Sequence, residues 1–144
     1  MVEPFGQREA STRALPLTFK YKSMSNKALI QQKLDAELSR IVDAAVLSAM
    51  KPLIVVPRRE MREWDYGKPG QQFPCWIVLD HLPTNTCIAY CEFGFGPSSP
   101  WGLLFIGGEY LSIGMDSGWY SNLEDAFRGS MAWDGDNPAC YQVG

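Results

Sequence analysis

The chain has 144 residues, 46% apolar and 20% charged, which is one domain's worth of ordinary globular composition and excludes disorder of the whole chain. No apolar run approaches the roughly 18–20 residues that cross a bilayer, and Met1 to Thr18 carry Glu3, Arg8, Glu9 and Arg13 without the apolar stretch of a secretory signal, so a cytoplasmic protein with no membrane partner is expected. The net charge of −3 hides an asymmetry: up to Lys68 there are 12 bases and 8 acids, whereas from Pro69 onward Arg128 faces Asp80, Glu92, Glu109, Asp116, Glu124, Asp125, Asp134 and Asp136, a net of −7.

Residues 1–23 mix Pro, Gly and isolated charges with no helical or strand period, and read as a flexible arm. Met24 can serve as a start in its own right, and the folded domain is expected over 24–144. Ser25 or Asn26 can cap a helix running to about Ala49. Its inner stripe is Ile30, Leu34, Leu38, Ile41, Ala45 and Ala49, at spacings of three and four. Lys51-Pro52 closes it. Leu53-Ile-Val-Val56, between prolines, reads as a short buried strand. Arg58 to Pro74 reads as a long polar loop, with one or two helical turns available to Arg58–Trp64.

Cys75–Asp80 and Thr86–Cys91 predict a hairpin whose connection, His81 to Asn85, holds the turn residues Pro83, Thr84 and Asn85. Setting Asp80 opposite Thr86 pairs Leu79 with Cys87, Val78 with Ile88, Ile77 with Ala89, Trp76 with Tyr90 and Cys75 with Cys91. One face is then Cys75, Ile77, Leu79, Cys87, Ala89 and Cys91, small and apolar enough to be core. The other, with Trp76, Val78, Ile88 and Tyr90, is either covered by a helix or exposed for binding. A second hairpin is expected from Trp101–Ile106 and Glu109–Gly114, joined by Gly107-Gly108, because tight hairpin turns need positive φ. Ser121-Asn-Leu-Glu124 fits a capping box, starting a helix with Leu123, Ala126, Phe127, Ser130 and Met131 inward. The order predicts an α+β fold: an antiparallel sheet of about five strands, from two consecutive hairpins, packed with a long N-terminal helix and a short C-terminal one.

Chemistry is sparsely signalled. Zinc would have to use Cys75, His81, Cys87 and Cys91, yet Cys87 and Cys91 lie about 13 Å apart on one strand, too far to share an ion. Cys75 and Cys91 oppose one another and are read as packed thiols rather than a disulfide. His81, the one histidine, sits at a hairpin corner beside Asp80 with the cysteines turned to the core, and reads as a turn residue without a catalytic role. Glu109 and Asp116 could pair as acid and base, but nothing places them together. Gly94-Phe-Gly-Pro97 lacks the helix a phosphate loop needs. No catalytic, metal or cofactor residue is assigned, and the reading leans away from an enzyme.

Direct nucleic-acid binding is not expected, because the aromatic half is acidic and repels phosphate. What remains is acid interleaved with aromatic: Asp80, Glu92, Trp101, Glu109, Asp116, Trp119, Tyr120, Glu124 and Asp125, with Tyr110 among them. Tryptophan and tyrosine anchor interfaces, and surrounding acids steer basic partners. The expectation is a small cytosolic inhibitor that masks a basic protein partner, such as an immunity protein or antitoxin opposing a nuclease-type toxin domain. The alternative is a small enzyme or ligand-binding domain with a pocket between the sheet and the 58–74 loop, lined by Trp64, Tyr66, Trp76 and Tyr90. A homodimer through the aromatic sheet face is a third possibility.

Overall fold

Apolar residues at helical spacing begin at Ile30, and helix α1 occupies Asn26–Arg40, burying Ile30 and Leu34. The protein is represented by a computed structural model that describes residues 26–93, 96–108, 111–113 and 118–138. The proposed arm at 1–23 lies outside the described residues.

The long helix does not continue to Ala49. It breaks at 41–43, and a second helix, α2 (Ala44–Met50), starts where the Asp43 carboxylate accepts the Ala45 amide at 3.0 Å from an extended backbone. A capping aspartate competes with helix continuation because its side chain satisfies an otherwise unbonded amide. The break also shifts the inward phase by one residue. Val46 and Met50 are buried in place of the smaller Ala45 and Ala49, which puts more apolar area in the core.

The expected loop at 58–74 is largely strand. Strand β1 (Ile54–Glu63) pairs antiparallel with β2 (Gln72–His81) through Arg58↔Ile77, Glu60↔Cys75 and Arg62↔Phe73. Charges concealed the period: Arg58, Glu60 and Arg62 alternate with Arg59, Met61 and Glu63, so every position but Met61 looks polar. On one face, however, Arg58 and Arg62 both donate to Glu60, and Arg58 also bonds Asp80 across the sheet. The ladder runs along one face of β1, and the Arg58–Asp80 pair ties it across to β2, where opposite charges stabilise strand pairing.

Strand β3 (Thr86–Tyr90) follows through a 3-10 turn at Leu82–Thr84 and Asn85, which takes the left-handed conformation with φ of 57°. The register of this hairpin matches expectation at Trp76↔Tyr90 and Ile77↔Ala89. Beyond it the ladder slips at a bulge, giving Leu79↔Ile88, Asp80↔Cys87 and His81↔Thr86. One extra residue, Val78, turns Leu79 to the opposite face from the one predicted. Leu79 therefore packs with Val78, Ile88 and Tyr90 against the helices.

Strand β4 (Trp101–Phe105) pairs with β3, and a two-residue strand β5 (Trp119–Tyr120) completes a five-stranded antiparallel meander ordered β1-β2-β3-β4-β5. The fold is α+β, as its element order implied. Among the described residues the strand paired with β4 on the side away from β3 is Trp119–Tyr120, in the register Trp101↔Tyr120 and Gly102↔Trp119. Ile113 is held instead by β1: its amide donates to the Glu63 carbonyl at 2.7 Å and its carbonyl accepts from Asp65 at 2.8 Å. The Arg62 guanidinium also reaches the Leu111 carbonyl, at 3.2 Å. Glu109, Tyr110 and 114–117 lie outside the described residues.

The sheet separates two apolar layers. One, with Val78, Leu79, Ile88, Trp101 and Tyr120, is covered by α1, α2 and helix α3 (Leu123–Arg128). The aromatic face is thus the one the helices cover. The other layer holds Cys75, Ile77, Cys87, Ala89, Cys91 and Leu104, closed over by Trp64, Phe73, Ile113 and Trp119. Helix α3 starts one residue later than the capping box implied. The Asn122 side chain accepts the Asp125 amide at 2.8 Å, and Glu37 of α1 accepts the Leu123 amide at 2.9 Å. The helix ends at Arg128, so Met131 is exposed rather than inward.

Candidate functional site

The described residues among the nine expected to meet a partner do not form one surface. Asp80 sits at the β2–β3 turn end and is bound by both terminal nitrogens of Arg58, at 3.0 and 3.2 Å. That bidentate bond is first among the causes holding the Arg58 guanidinium above its ordinary pKa, with burial opposing it. Asp80 thus has a structural partner already. His81, next to it, bonds Thr84 through Nδ1 at 2.7 Å and braces the same turn.

Trp101 and Tyr120 are 2% and 6% exposed. Both face the helix-covered layer, and this corrects their expected place at the surface. The reason is register: directly opposed residues share a face, and this pair falls on the face that α1 and α3 cover. The Tyr120 hydroxyl also sits so close to Gly129 that a Cβ there would meet it at 2.3 Å. Trp119 is half-buried, with its indole laid over Gly102. Glu92 is exposed and accepts the Tyr90 hydroxyl. Burial first, then this carboxylate, raises the Tyr90 pKa. Glu109 and Asp116 lie outside the described residues.

Glu124 and Asp125 belong to a different arrangement, organised by the single base of the acidic half. Arg128 has 5% of its side chain exposed and ion-pairs with Asp43 and Glu124, both at 2.9 Å. It also donates to the Asn137 side chain at 3.0 Å and to the Asp136 carbonyl at 3.3 Å, and its guanidinium lies over the Trp133 ring at 5.8 Å. Burial works against the charged guanidinium, yet the bonds from Glu124 and Asp43 win and its pKa is raised. The Arg128 bond likewise leads the causes holding Asp43 below the usual carboxylate range.

The 129–138 segment also reaches this arginine, through the Asp136 carbonyl and the Asn137 side chain, and leaves Asp134 and Asp136 exposed. Two carboxylates, Asp43 and Glu124, thus meet at one guanidinium; Val42, next to Asp43 in the chain, is 95% exposed, and Met131, three residues beyond Arg128, is 62% exposed. Sequence reading passed over Val42 and Asp43, which lay inside an assumed helix, and left Asp134 and Asp136 in the tail. The available signal was Arg128 itself: a lone base among eight acids is a natural hub for them.

The expected pocket of Trp64, Tyr66, Trp76 and Tyr90 is divided by the sheet. Trp64 packs edge-on to Tyr66 and Phe73 in the cysteine layer. Trp76 and Tyr90 lie on the helix side, where they line a hollow of about 290 Å³ with Lys33, Glu92 and Phe93. A neighbouring hollow of about 450 Å³ shares Lys33 and Tyr90 and continues along α1 past Gln32 to Arg40. Lys33 stands over the Tyr90 ring at 5.3 Å, between the two.

Among the described residues no group of three His, Cys, Asp or Glu side chains is placed to hold a metal, and no helix is long and apolar enough to cross a membrane. No protein-family model, curated protein or solved structure matches the chain.

Proposed function

We propose that the protein is a small binding protein of the cytoplasm that masks a basic protein partner, an immunity or antitoxin role against a nuclease-type toxin being the form that fits this chemistry. The observation that carries the reading is the pairing of Arg128, the one base from Pro69 onward, with Asp43 and Glu124, next to a segment that exposes Asp134 and Asp136, with Val42 and Met131 also exposed. Carboxylates in excess over the bases near them attract a cationic surface over several ångströms and speed its approach. The two apolar side chains supply contact area that water-exposed charge does not. A protein that grips phosphate must itself be cationic, and an acidic face competes for that surface.

The test is affinity capture from the source cells, identification of the partner, and binding measured from about 0.05 to 0.5 M salt, a range over which the screening length shortens severalfold. Asp134→Lys with Asp136→Lys should weaken binding at least tenfold and flatten the salt dependence, with the fold intact. A neutral or acidic partner, or unchanged affinity in this variant, refutes the reading.

A second reading, a ligand-binding domain or small enzyme, is favoured by the hollows along α1, where Trp76, Tyr90 and Phe93 offer aromatic walls and Lys33 and Glu92 offer charge. Partner binding undisturbed by the Asp134/Asp136 change but lost on Lys33→Ala would move the site there.

A further inference from the structure

Two cysteines of the closed layer are aligned for a bond the hairpin register alone can specify. Trp76↔Tyr90 and Ile77↔Ala89 are partners across β2 and β3, so one step outward sets Cys75 directly opposite Cys91. The Cys91 amide donates to the Pro100 carbonyl at 2.8 Å, on the β4 side. Its backbone groups therefore face away from β2, which makes Cys75 and Cys91 a non-hydrogen-bonded pair. Such pairs are the closer of the two antiparallel kinds, with Cα atoms about 4.5 Å apart. Disulfides span Cα separations from about 4.4 to 6.8 Å. The side chains share a face and meet: the Cys75 thiol is within hydrogen-bond reach of Cys91. Cys87 lies on the same face but four residues along β3 from Cys91, about 13 Å away, and cannot substitute.

We propose that Cys75 and Cys91 are an oxidisable dithiol that closes to an intrachain cross-strand disulfide when the protein meets a small-molecule disulfide oxidant. Two S–H bonds break and one S–S bond forms. The oxidant's disulfide takes up the two electrons and both protons, leaving as two thiols. Both cysteines are buried, at 0% and 1% exposure, and only the thiolate attacks, so closure is slow at neutral pH and accelerates as pH rises. Cys91 also borders the hollow that holds Trp76, Glu92 and Phe93, so the bridge ties the root of the 92–93 segment to β2. It staples neighbouring strands already in register, and so stabilises the folded chain without rebuilding it.

The experiment incubates the native full-length protein with oxidised glutathione at mildly alkaline pH, alkylates the remaining thiols after denaturation, and reads intact mass and a peptide map. The expected result is a loss of two hydrogens, about 2 Da, mapped to Cys75–Cys91, with Cys87 alkylated. Melting temperature should rise by about 5–10 °C and return on reduction. Cys87→Ser should keep the bridge, whereas Cys75→Ser and Cys91→Ser should each abolish it. A bridge mapped to any other cysteine, one that forms only in denaturant, a bridge that lowers the melting temperature, or no bridge at all overturns the proposal.

Discussion

Gly102→Ala tests the packing of Trp119, and with it whether that tryptophan serves the fold or a partner. A Cβ at position 102 would lie 2.6, 2.7 and 2.8 Å from three carbons of the Trp119 six-membered ring. Carbon contacts are comfortable at about 3.5–4.0 Å, so the ring must retreat by about 1 Å from a layer that also contains Ile113 and Leu104. Overpacking of this size costs about 1–3 kcal/mol. Replacing glycine inside a strand recovers about 0.5–1 kcal/mol of backbone entropy, leaving a net loss of about 1–2 kcal/mol. Trp119→Ala alone should cost about 2 kcal/mol, roughly half the value for a fully buried tryptophan, since the side chain is half-exposed. In the Trp119→Ala background the clash disappears, and Gly102→Ala should become neutral or stabilising by about 0.5 kcal/mol. Urea unfolding followed by far-ultraviolet circular dichroism measures all four corners of the cycle without relying on tryptophan emission. The reasoning fails if Gly102→Ala is equally destabilising in both backgrounds.

Two further consequences concern the turn and the charge ladder. Asn85 combines a positive φ with side-chain bonds to the Gly107 carbonyl at 2.7 Å and the Gly107 amide at 3.2 Å. Asn85→Gly should cost about 1 kcal/mol for the lost bonds and Asn85→Ala about 1 kcal/mol more for the left-handed backbone; equal losses on thermal unfolding would contradict this. At Glu60, burial raises the carboxyl pKa, but the bonds from Arg62 and Arg58 outweigh it and hold the group below its ordinary 4.5. A depressed folded-state pKa contributes stability that is full above the unfolded value and disappears as pH falls through the folded one. Wild type should thus lose stability below about pH 4.5 more steeply than Glu60→Gln, which is weaker at neutral pH; parallel acid-unfolding curves would refute the ladder's role.

The legible parts of the fold were those written in local periodicity. The Ile30–Leu34 stripe, the Cys75–Cys91 alternation apart from Leu79, and the Leu123–Phe127 pattern each declare which face is apolar, and each is buried as read. β1 was illegible because Arg58, Glu60 and Arg62 satisfy one another along one face of the strand, and Arg58 pairs with Asp80 of β2, an arrangement that looks like loop composition when read in line. The Val78 bulge was equally hidden. Two adjacent apolar residues, Val78 and Leu79, both fit a strand, and only the pull of the helix-covered core turns them to the same side. The α1–α2 break depended on Asp43 finding an amide to cap and Arg128 to pair with, 85 residues away.

The candidate site divides along the same line. Composition alone located excess negative charge in the second half of the chain, since covalent sequence determines how many carboxylates must be placed on the surface. Which of them meet was decided by tertiary structure. Asp80 is consumed by Arg58, Trp101 and Tyr120 are drawn into the core, and Arg128 joins Asp43 and Glu124 from two separate segments. Charge count is additive along a chain, whereas a charged surface depends on which groups the packing leaves unpaired.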